Sequence, residues 1–99
     1  MSLKGDAESV LSYTKRAYNA ETLEEIHLLA KKAMIASESL GNEARHSNCF
    51  DVMDNAQEVH SLTRKIVNST EMEEVKPLTE KALKAARHAR SSVEFYKDE

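Results

Sequence analysis

Three features of the sequence predict an all-α protein, a four-helix bundle made of two antiparallel helical hairpins: an internal repeat, an apolar spacing of three and four, and a shortage of helix breakers. Residues 23–44 recur almost position for position at 72–93, a period of 49 residues. Thr-Leu-Glu-Glu-Ile at 22–26 returns as Glu-Met-Glu-Glu-Val at 71–75, and Lys32-Ala33 returns as Lys81-Ala82. Upstream, Ser12, Thr14 and Asn19 have Ser61, Thr63 and Asn68 as counterparts. The repeat divides a single helical domain, 1–99, into hairpins over 1–47 and 48–99. With two Gly and one Pro in 99 residues, and abundant Ala, Glu, Lys, Leu and Met, helix is favoured nearly throughout.

The first helix is expected to start between Ser2 and Asp6 and to end near Asn19. Leu3, Ala7, Val10, Thr14 and Ala17 alternate in steps of four and three and so share one stripe, which Leu11 and Tyr18 widen. Thr22-Leu-Glu-Glu25 reads as a capping box opening the second helix. Its stripe is Leu23, Ile26, Ala30, Ala33, Ser37, Leu40 and Ala44, the rhythm of nearly antiparallel helices. Gly41-Asn42 would ordinarily mark a C-cap, but Gly41 aligns with Arg90 in the second copy, so the helix is extended to about Arg45.

Asn48 or Ser47 is expected to cap the third helix, which carries Val52, Ala56, Val59, Thr63 and Ile66 and ends near Val67. Thr70-Glu-Met-Glu73 reads as another capping box, and the fourth helix has the stripe Met72, Val75, Thr79, Ala82, Ala86, Ala89, Val93 and Tyr96. Pro77 lacks the N–H that would bond the carbonyl of Glu73, which predicts a kink or a short separate first turn. Small residues crowd the inward faces of the second and fourth helices, Ala30, Ala33, Ala36 and Ser37 on one and Ala82, Ala85, Ala86 and Ala89 on the other, predicting that the two halves close on each other through a narrow, mostly methyl-lined seam.

Charge and composition exclude several functions. A net charge of -3 with both signs interspersed argues against nucleic acid as a partner, since such affinity comes from a basic surface. No run approaches the length of a membrane span and the first residues carry no apolar signal core, so no membrane association and a cytoplasmic location are expected. One cysteine, Cys49, cannot form an internal disulfide and suits a reducing compartment.

Candidate chemistry is sparse. His46, Cys49 and Asp51 gather three ligand types in six residues, but a zinc site needs about four ligands and no second pair exists, so no metal and no cofactor are expected. Glu24-Glu25 and Glu73-Glu74 occupy first helical turns, where the macrodipole favours acids, and no Glu-x-x-His of a di-iron bundle occurs. His27, His60 and His88 invite comparison with histidine phosphotransfer domains, which are four-helix bundles carrying one exposed histidine. The His-x-x-Lys-Gly pattern of that family is absent here, and the analogy rests on fold alone. Lys81, Lys84, Arg87, His88 and Arg90 form a basic strip of the kind a solvated helix C-terminus carries. No phosphate loop, triad or dinucleotide fingerprint appears, so the chain is not expected to be an enzyme.

Several apolar residues are surplus to the inward stripes: Leu28, Ile35, Leu62, Phe95 and Tyr96. Leu28 and Ile35 lie seven positions apart, on a face of the second helix away from its stripe. The function this predicts is a small helical interaction module that binds a protein partner or a second copy of itself, with Leu28, Ile35, Phe95 and Tyr96 as the binding residues. The alternative is a phosphotransfer-like signalling domain using an exposed histidine.

Overall fold

The computed structural model describes residues 2–96. It contains four helices, α1 (Leu3–Asn19), α2 (Leu23–His46), α3 (Phe50–Asn68) and α4 (Met72–Val93), and no strand among the described residues. The molecule measures 41 × 18 × 17 Å. At about 1.5 Å per residue the 24 residues of α2 span most of the long dimension, so the helices run along it. Each helix packs against its neighbours in sequence, and α1 closes the ring against α4.

The diagonal helices hardly meet. Ala30, Ala33, Ala82, Ala86 and Ala89 are all buried, but α2 and α4 sit across the diagonal and do not pack on each other. Their methyl groups therefore fill the centre of a ring of four, where each stripe faces the common axis and the adjacent α1 and α3. Ala36, expected on the inner face, is only partly buried. Residues 49 apart share their burial all the same: Val10 with Val59, Thr14 with Thr63, Ile26 with Val75, and Ala33 with Ala82.

Two apolar clusters occupy the two ends of the bundle. Leu3, Val10, Leu40, Ala44, Val52, Val59, Ala89 and Val93 make one, while Ala17, Ile26, Leu29, Leu62, Ile66 and Val75 make the other. Thr14 and Thr63 lie between them in the chain. The Thr14 hydroxyl donates to the Val10 carbonyl at 2.9 Å and that of Thr63 to Val59 at 2.8 Å, so each buried hydroxyl is satisfied by its own helix. No buried side-chain polar atom among the described residues is left unpartnered.

The helix ends explain themselves at three places and correct the sequence reading at two. Ser2 Oγ accepts the Gly5 amide at 2.9 Å and Thr22 Oγ1 accepts that of Glu25 at 3.2 Å, as N-caps do. α2 runs through Gly41 to His46 and closes in a Schellman turn: Asn48 takes the left-handed conformation (φ 59), its N–H bonds the Arg45 carbonyl, and the Cys49 N–H bonds that of Ala44 at 2.8 Å. Asn48 is thereby spent on ending α2, and Cys49, without a side-chain cap bond, is the N-cap of α3. Thr70 also fails to cap. Glu71 stands at the N-cap of α4 with no side-chain bond, and the turn is held by Ser69 Oγ donating to Glu74 Oε1 at 2.8 Å.

Pro77 does not split off a separate first turn, and helix is continuous from Met72 to Val93. The carbonyl that loses its partner belongs to Glu73, an exposed residue of the first turn, so water can satisfy it. Lys76 meanwhile reaches across to the Ala20 carbonyl, with Nζ at 3.3 Å, and ties the start of α4 to the α1–α2 turn.

The two glycines make a testable contrast. A Cβ at the buried Gly41 would meet only Ala56 Cβ at 3.8 Å, an ordinary contact, whereas one at Gly5 would lie 3.1 Å from the capping Ser2 Oγ. Gly41→Ala is expected to stabilise the fold by about 0.5–1 kcal/mol, read as a raised urea midpoint at constant slope, because alanine costs less to fix in a helix. Gly5→Ala gains less than Gly41→Ala, since the cap must shift.

Candidate functional site

The largest exposed apolar side chains on one helix face stand on the outer ridge of α2. Leu28 is 56% exposed and Ile35 65% exposed, while the inward stripe of the same helix is complete without them. Two turns separate them, about 10.5 Å along the axis. Leu28 rises between two broad open depressions. One, about 640 Å³, lies toward α3 and is lined by His27, Lys31 and Val67. The other, about 560 Å³, lies toward α1 and is lined by Arg16, Ala20 and Lys32.

Ile35 edges a third groove of about 370 Å³ between α1 and α2, together with Asp6, Ser9, Tyr13, Lys32, Ala36 and Ser39. Tyr13 is half-buried there, with Lys32 Nζ 6.0 Å and Arg16 Cζ 5.9 Å from its ring centroid, a range in which a cation is attracted to the ring face. Asp6 is buried at the closed end of the groove and accepts a hydrogen bond of 3.4 Å from Ser39 Oγ. Burial holds its carboxyl above the ordinary value, outweighing the Ser39 hydrogen bond that lowers it. Nothing in the sequence pattern distinguishes Asp6 from a solvated first-turn acid; its burial arises only because the α1 stripe is wide enough to turn it toward α2.

The expected binding residues do not form one surface. Phe95 is 85% exposed but follows α4, diagonal to α2, and Tyr96 is partly buried against the core cluster at that end. Leu62, read as surplus, is a core residue. Its position beside Thr63 turns it toward α4 and the second cluster, so the α3 stripe is wider than a strict three-four alternation.

The histidines separate by their hydrogen bonds. His27 Nε2–H donates to the Ser69 carbonyl at 2.7 Å and His46 Nδ1–H to the Asn42 carbonyl at 2.8 Å. His60 is half-buried in a cleft of about 250 Å³ between α3 and α2, opposite Gly41, Asn42 and Arg45, and His88 is exposed. Cys49 is buried, with its Sγ 3.6 Å from the Ser47 carbonyl, and no group of three or more His, Cys, Asp or Glu able to hold a metal occurs among the described residues. In the basic strip, Arg90 is engaged by Glu8 at 2.8 Å and Glu94 at 3.1 Å, while Lys81, Lys84, Arg87 and His88 face solvent. No described helix is long and apolar enough to cross a membrane.

The chain matches no protein family, no curated protein and no solved structure at a significant level.

Asp6 supplies a pH test of the groove. A carboxyl whose folded-state pKa is raised binds its proton more tightly in the folded chain, so stability falls as pH rises from the ordinary value near 3.8 through the raised one. Asp6→Asn is expected to melt at a higher temperature than the parent at pH 7, and the difference should disappear below about pH 4. Equal melting temperatures at neutral pH would show that the Asp6 carboxylate is fully hydrated.

Proposed function

We propose that this chain is a small, non-enzymatic helical module that docks a protein partner, a second copy of itself included, on the outer ridge of α2. The observation that carries the reading is the pair Leu28 and Ile35, more than half exposed and seven residues apart on a helix that already buries a full stripe. Covering each side chain would return roughly 1.5–3 kcal/mol before the cost of association. The flanking depressions suit a helix laid alongside, since they can receive side chains spaced by one or two turns. Phe95 offers a contact on a different face, so Leu28 and Ile35 carry the proposal without it. A cytoplasmic setting suits the chain, with Cys49 serving as packing at the Schellman turn.

Replacement of both ridge residues tests the module directly. Leu28→Glu with Ile35→Glu should keep the helical circular dichroism and lose at least tenfold in the amount of partner retained from an extract of the source cells on the immobilised protein. Undiminished retention by the double variant would remove the ridge as the docking surface.

A phosphotransfer reading is favoured by one feature, the cleft around His60. Across from it Gly41 leaves space and Arg45 offers a cation for phosphoryl oxygens, although Glu38 also lines the cleft and opposes an anion. If the reading holds, incubation with acetyl phosphate gives an acid-labile phosphoryl label that is lost in His60→Gln and kept in His88→Gln. A label absent from the parent protein excludes it.

A further inference from the structure

The charges along α2 are complementary to themselves about Ile35, and this names the occupant of the ridge. One edge of the ridge carries Glu24, Lys31, Glu38 and Arg45 at steps of seven, two before Ile35 and two after it. Lys31 stands four positions before Ile35 and Glu38 three after it, while Glu24 stands eleven before and Arg45 ten after. Apart from the inward-lying neighbours, these residues are all exposed. We propose that two copies of this chain pair through α2 in antiparallel fashion, with a two-fold axis at Ile35; the proposal rests on the ridge being the docking surface. Ile35 then meets Ile35 of the second copy, and along the edge that carries the four charges Lys31 faces Glu38 and Glu24 faces Arg45, each pair formed twice by symmetry.

Two physical considerations select this register. First, these four charges are not paired within the monomer. None of Glu24, Lys31, Glu38 and Arg45 has an oppositely charged Asp, Glu, Lys or Arg three or four positions away on α2, and none is in an ion pair among the described residues. Second, other antiparallel registers are poorer. Setting Leu28 opposite Ile35 matches apolar groups but brings Lys31 against Lys31 and Glu24 against Glu38, both of like sign. Centring the pair on Leu28 overlaps only the first half of α2. Centring it on Ile35 overlaps nearly all of the helix, the larger contact.

Light scattering behind a sizing column, from 10 µM to 1 mM, should show a monomer passing to a dimer, with the transition moved to higher concentration in strong salt. Lys31→Glu and Glu38→Lys should each weaken the dimer at least tenfold, while an equimolar mixture of the two variants recovers it. In a Cys49→Ser background, Ile35→Cys should form a covalent dimer under mild oxidation and Leu28→Cys should not. A parent protein monomeric at 1 mM overturns the proposal, as does crosslinking through Leu28→Cys alone or a mixture that fails to pair. Loss of partner retention in the doubly substituted ridge variant would still stand in that case, so failure of the dimer is distinguishable from failure of the ridge.

Discussion

Small side chains at the centre of a ring of four helices are the constraint from which the rest of this structure follows. Where Ala30, Ala33, Ala56, Ala82, Ala86 and Ala89 are buried, the helices can come close enough for methyl groups and branched side chains such as Ile26, Leu40 and Ile66 to fill the interior. The depressions described above lie in grooves between helices or beside turns. The proposed docking surface accordingly lies on a helix face that the ring does not use. The same tight packing explains the buried hydroxyls: with little space for a partner from another helix, Thr14, Thr63, Ser37 and Thr79 each bond a carbonyl of their own helix three or four residues back.

Periodicity made the four helices legible because a stripe of apolar residues has one way to be buried. The stripe of α1 and that of α3 are buried along their whole length, and α2 runs through Gly41 as the alignment with Arg90 implies. Turn chemistry was less legible, because the same residue type serves either end of a helix. Asn48 can cap a following helix or close a preceding one, and only the left-handed backbone at that position decides for closure. Thr70 has the side chain of a cap but stands one residue too early, where the repeat itself places the cap at Glu71, opposite Thr22. At Pro77 the orphaned carbonyl is that of Glu73, in an exposed first turn, so the lost hydrogen bond does not end the helix.

Which helices face each other is not written in a stripe. Alanines on α2 and α4 show only that both faces turn inward, and the ring of four puts every stripe on the common axis and makes neighbours of α2 and α3 as well as of α1 and α4. The candidate site was partly legible for the same reason that the helices were. Leu28 and Ile35 fall off the stripe by helical phase alone, which requires no knowledge of tertiary structure, and both are exposed. Tyr96 and Leu62 lie near the edge of their stripes, where one position of phase separates surface from core, and packing against a neighbour drew them in. Asp6 was illegible because burial of a charged group is decided by the opposite helix.

Charge placement separates α2 from α4 in a way that helix stability does not explain. On α4, Arg90 has Glu94 one turn away and Glu8 on the adjacent α1, so its charge is answered within the molecule and helps to fasten the ring where it closes. On α2 the exposed Glu24, Lys31, Glu38 and Arg45 are held seven positions apart, a spacing that forgoes the usual gain from pairs one turn apart. A helix selected only for its own stability would carry its glutamates and lysines four apart. The spacing found on α2 becomes favourable only when a second helix supplies the opposite sign, and exposed Leu28 and Ile35 between those charges supply the apolar contact that ion pairs at a surface cannot provide by themselves.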